Sequence, residues 1–65
     1  MNDKEANCRA DLDAALAALK ESNRLLIRSI ATRDIRAVER QTIKLRASRW
    51  RLADAVRQFE KIVTN

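Results

Sequence analysis

Apolar residues return every three or four positions through almost the whole chain, the period of an α-helix with one face turned inward. In the first half the stripe runs Cys8, Leu12, Leu16, Leu19, Asn23, Leu26, Ile30; in the second it runs Ile35, Val38, Thr42, Leu45, Arg49, Leu52, Val56, Phe59, Val63. Between them the step from Ile30 to Ile35 breaks the phase and would carry the stripe of a continuous helix off its face. Thr32, Arg33 and Asp34 sit at that break and supply capping side chains. The pattern therefore predicts one all-α domain over 1–65: a helix over about 3–31, a turn at about 32–33 and a second helix over about 34–64, folded back as an antiparallel two-helix hairpin.

Helices of nearly equal length joined by so short a turn pair residues whose numbers add to about 65, which sets Asn23 opposite Thr42. A polar layer there would fix register, as buried polar residues do in coiled coils; the alternative places Asn23 at the hairpin rim. Arg49 interrupts the second stripe, with its stem packed and its guanidinium reaching toward Asp13. Beside the main stripe of the first helix runs a flank of mostly small residues: Asp11, Ala14, Ala15, Ala18, Ser22, Leu25, Ser29. One hairpin buries only one face of each helix, so a second layer is expected on this flank. Ala14, Ala15, Ala18, Ser22 and Leu25 then form the interface of a homodimer, a four-helix bundle. The competing explanation is an exposed alanine face chosen for helix propensity alone.

Composition sharpens the case for a dimer. A chain of 65 residues buries too small a share of its surface to be comfortable alone, and the usual staples are missing. The single cysteine, Cys8, has no partner for an internal disulfide, and without histidine there is no zinc site of the common kinds, so neither metal nor cofactor is expected. Cys8 reads as a packed or idle thiol in a reducing cytoplasm, with no histidine to activate it as a nucleophile. Neither a membrane-spanning stretch nor a secretory leader is recognisable, so a cytoplasmic protein is expected.

The net charge of +5 is unevenly placed. From Asp3 to Ala31 positives and negatives are five each, whereas from Thr32 onward nine positives face four negatives. Ten of the 14 cations are arginines, which suit bidentate pairing with carboxylates or phosphates. Trp50, the only tryptophan, and Ile43 fall on the face of the second helix opposite its core stripe, among Arg36, Arg40, Arg57 and Lys61. An exposed aromatic flanked by arginines has the composition of an interface hot spot; the structural alternative buries Trp50 and Ile43 in the dimer contact.

Catalysis has little support: histidine and glycine are absent, and two helices make no concave pocket. The leading expectation is a protein-binding module that inhibits or modulates its partner, an acidic or groove-bearing protein. Trp50 and Ile43 would anchor it, and Arg36, Arg40, Arg46 and Arg57 would meet an acidic rim. Nucleic-acid binding through the same arginines is the alternative, although no helix-turn-helix pattern is met. A chaperone that masks a partner helix is a third.

The run from Asn23 to Asp34, Asn-Arg-Leu-Leu-Ile-Arg-Ser-Ile-Ala-Thr-Arg-Asp, followed by an amphipathic helix, resembles the hairpin of flagellar and type III secretion export chaperones. The size and expected dimer also resemble plasmid RNA-binding hairpins and small phage or mobile-element helical hairpins that inhibit host regulators such as quorum-sensing activators. Of these, the arginine-rich composition sits best with a phage or mobile-element regulator. The resemblance implies a compact dimeric hairpin acting on a transcriptional regulator, and it is architectural, carrying no functional residue across.

Overall fold

With no glycine or proline to interrupt it, the chain stays helical wherever its side chains allow, and only the segment 32–34 signals a stop. The computed structural model describes residues 3–64. Over them the chain forms α1 (Asp3–Ala31) and α2 (Ile35–Thr64), packed against each other as an antiparallel hairpin. The rod measures 47 × 14 × 12 Å between Cα extremes. Asp3 and Glu5 lie in the first turn of α1 and Arg28 in its last, each placed favourably against the helix dipole.

The turn is built from backbone hydrogen bonds. Asp34 N–H donates to Ser29 O (3.2 Å) and Arg33 N–H to Ile30 O (3.1 Å), the paired closure of a Schellman cap. Such a cap needs a left-handed residue, and Arg33 takes that place with φ of 57°. A side chain with a Cβ is disfavoured there by about 1 kcal/mol relative to glycine. Asp34 then starts α2: its Oδ1 accepts from Ala37 N–H (3.1 Å), the N-cap bond that satisfies a donor with no helical partner.

The seam between the helices differs from the expected stripes by a rotation of about one residue. On α1 the half-buried or buried positions include Cys8, Leu12, Ala15, Ala18, Leu19, Ser22, Leu25, Leu26 and Ser29; on α2 they include Val38, Gln41, Thr42, Leu45, Ser48, Leu52, Ala55, Phe59 and Ile62. Leu16, Ile30, Ile35, Val56 and Val63, expected at the core, are exposed. The reason is size: Ala15, Ser22 and Ser29 on one helix and Ser48 and Ala55 on the other let the axes approach more closely than facing leucines would. Among the described residues Ala15 is fully buried, and no large side chain is.

This corrects several expectations. Part of the small-residue flank packs inside the single hairpin: Ala15 has 0% exposure within one chain, and Ser22 Oγ lies 3.0 Å from Ser48 Oγ of α2. Ala18 and Leu25 are half-buried beside them, and of the five residues expected at the dimer interface only Ala14 is exposed. Asn23 is exposed rather than set against Thr42, so the polar layer is the Ser22–Ser48 pair. The Thr42 hydroxyl instead donates to Val38 O one turn back (2.7 Å). Asp13 pairs with Arg9 (3.6 Å) on its own helix, where Arg49 had been expected.

Replacing Asp34 by Ala should lower the unfolding free energy by about 1 kcal/mol, and Arg33→Gly should raise it by a similar amount. Urea midpoints at one fixed protein concentration check both.

Candidate functional site

Residues seven apart on a helix return to nearly the same line, which sorts the exposed side chains into faces. Arg36, Ile43, Trp50 and Arg57 form the line on α2 directed away from α1. Trp50 is 72% exposed and Ile43 66%, so neither contributes to the hairpin's own packing. Arg46 lies beside this line on one side and Arg40 on the other, and both are exposed. All six residues predicted to bind a partner therefore share the outward arc of α2. A shallow depression lined by Arg49, Trp50, Ala53 and Arg57 lies along one edge of that arc, with the indole as a wall and Ala53 leaving room beside it.

Around the rest of the rod the surface divides in two. The helices run in opposite directions, so the flank one residue beyond the seam turns up on the same side for both. There α1 presents Arg9, Leu16, Asn23 and Ile30, and α2 presents Ile35, Thr42, Arg49, Val56 and Val63; Asn23 and Arg49 line one groove with Leu19, Lys20 and Leu45. The opposite side carries Asp11, Ala18, Lys44, Arg51 and Gln58 in its grooves, with Arg28 and Arg40 further out. One side is thus aliphatic and the other basic toward the turn. Sequence periodicity missed this division because Leu16 and Ala15, or Val56 and Ala55, are neighbours on the same apolar arc. The signal that finds it is the recurrence of small residues at Ala15, Ser22, Ser29, Ser48 and Ala55.

Charged groups outside the outward arc are partly occupied. Arg24 forks onto Glu21, donating from Nη2 to Oε1 (2.7 Å) and from Nε to Oε2 (3.1 Å). The guanidinium's hydrogen bonds hold the Glu21 carboxyl below its usual range, and the carboxylate in turn raises Arg24. A carboxyl lowered on folding lends stability above its unfolded pKa and loses it as pH falls through the folded value. The pair is solvent-exposed, so that contribution is small. Cys8 is a free, half-buried thiol in a groove with Asp11, Arg51, Asp54, Ala55 and Gln58. Among the described residues no group of three or more His, Cys, Asp or Glu side chains is placed to hold a metal ion, and no helix is long and apolar enough to cross a membrane.

Comparison with protein-family models, curated proteins and solved structures finds no match to this chain. The functional reading therefore stands on the exposed surface alone, and the number of large apolar side chains there marks it as an interaction surface.

Trp50, as the only tryptophan, reports directly on the outward arc. Its emission in the isolated protein should be that of a water-exposed indole, quenched by acrylamide nearly as efficiently as a free tryptophan derivative. A blue-shifted, poorly quenched emission would instead place Trp50 in a contact between chains.

Proposed function

We propose that this protein is a non-enzymatic binding module that inhibits or modulates a partner protein through the outward arc of α2, and that it works as a dimer of hairpins. The observation that carries the reading is the pairing of exposure and chemistry at one place. Trp50 and Ile43 have no structural duty in the hairpin, yet they stand seven apart on a line flanked by Arg36, Arg40, Arg46 and Arg57. A large aromatic left in water is unfavourable by its transfer free energy, and tryptophan with arginine is the pair most enriched among interface hot spots. The partner such a face fits has an apolar groove to take the indole and an acidic rim to meet the arginines. Covering the working surface of a regulator, such as a transcription factor, would suffice to inhibit it.

A second reading, nucleic-acid binding, draws on the basic side of the rod, where Arg28, Arg40, Lys44 and Arg51 cluster near the turn. Phosphate contacts would make affinity fall steeply with salt, whereas an anchored indole would leave a shallower dependence.

Capture by the tagged protein from host lysate, with and without nuclease, separates these readings. The expected result is a discrete protein that survives nuclease, is lost with Trp50→Ala and is kept with Ala17→Glu on the outer face of α1. With that partner purified, Trp50→Ala should weaken binding at least about 30-fold, the loss typical of a hot-spot residue. Recovery of nuclease-sensitive nucleic acid alone would reject the protein-binding reading.

A further inference from the structure

The hairpin is short of buried surface. It exposes 5288 Å², whereas an ordinary folded monomer of 7.5 kDa exposes about 4,250 Å². The excess of about 1,000 Å² is close to the roughly 800 Å² that each partner contributes to a stable protein interface. Most of the apolar part of that excess lies on the aliphatic side, where Leu16, Ile27, Ile30, Ile35, Val56 and Val63 are between 37% and 73% exposed.

We infer that a second copy of this chain covers the aliphatic side, the line through Leu16 and Ile30 of α1 and through Ile35, Val56 and Val63 of α2, and that the small-residue flank takes no part. This rests on the dimer reading above and names its face. A lasting cover suits a hairpin whose own core is thin, one fully buried alanine among half-buried leucines and Phe59. A second copy is the partner present at every synthesis.

Charge selects the same occupant and the same side. A self-partner meets its own charges, so a symmetric contact requires a face with little net charge of its own. Along the two aliphatic lines the charged residues are Arg9 and Arg49, with Lys20 beside them in the groove, and Arg9 already pairs with Asp13. The opposite side instead gathers Arg28, Arg40, Lys44 and Arg51 toward the turn, an excess of positive charge that a second copy would bring with it. Asn23, exposed on the aliphatic line of α1, then lies in the second interface, with Thr42 at the edge of the hairpin seam. The line of Arg36, Ile43, Trp50 and Arg57 lies about 100° around α2 from the covered flank, so the dimer carries two copies of the partner-binding arc at its rims.

Sedimentation equilibrium and a chemical crosslink test the face. The wild type should weigh twice the 7.5 kDa chain. Leu16→Glu and Val56→Glu, each at a position exposed in the single hairpin, should raise the dimer dissociation constant at least about 30-fold, while Ala14→Glu and Trp50→Ala leave it unchanged. Because a separated hairpin can unfold, the second arm leaves the contact intact. In a Cys8→Ser background a bifunctional maleimide spanning about one helix diameter, roughly 10–12 Å, should join two chains through Leu16→Cys and not through Ala14→Cys. A monomeric wild type overturns the dimer together with its face. A dimer broken by Ala14→Glu, or crosslinked only through Ala14→Cys, overturns the face and leaves the dimer reading standing. Loss of the dimer with Trp50→Ala places the indole in the contact and overturns the separation of the two surfaces.

Discussion

Two helices can share only one line of contact, and in this chain that line is occupied by small side chains. Ala15, Ser22 and Ser29 of α1 come up against an α2 whose seam holds Ser48 and Ala55, with leucines and Phe59 filling the layers between. Close approach exchanges apolar side-chain volume for backbone proximity, and the hydroxyls of the half-buried Ser22 and Ser48 meet each other across the seam. The cost is that the larger aliphatic residues are pushed outward. Where Leu16, Ile30, Ile35, Val56 and Val63 stand follows from this choice, and so does the division of the rod into an aliphatic and a basic side.

The elements were legible in the sequence because the information that sets them is local. The absence of glycine and proline, the stripe spacing and the phase break at Ile30–Ile35 give two helices whose observed ends, Ala31 and Ile35, fall within a residue of expectation. Asp34 as a cap follows from its side-chain chemistry, and the bond to Ala37 N–H bears it out. The rotation of each helix about its axis was not legible in the same way. An apolar arc three positions wide can be buried on either half, and hydrophobicity ranks Leu16 above Ala15 whereas packing distance ranks them the other way. The exposed face of Trp50 and Ile43 survived that error because it lies opposite the centre of the arc, where a rotation of one residue still leaves it in solvent.

On the function proposed above, the surfaces divide the work of the chain. Aliphatic residues without charge suit a contact that must form with an identical copy, whereas an aromatic among arginines suits one that must discriminate between partners. A helix pair has no interior in which to hide chemistry, so its chemistry is on its faces. The enrichment in arginine over lysine bears on the outward arc most directly, since a planar guanidinium can stack on or fork across a partner that an ammonium would only attract.

Arg33 gives the turn a property that a glycine there would withhold. Its left-handed backbone, φ 57°, is held by the two cap bonds and opposed by its own Cβ. Relaxing Arg33 together with the N-cap residue Asp34 to the right-handed helical region would merge α1 and α2 into a single rod of about 90 Å. Hinges under local strain are where neighbouring chains trade equivalent segments. What holds the two helices folded back is therefore the phase break more than the turn: in the straight rod the Ala15 line and the Ser48 line would point in different directions, and a partner wrapped along one would leave the other bare. The bend is protected from exchange by the pattern it joins.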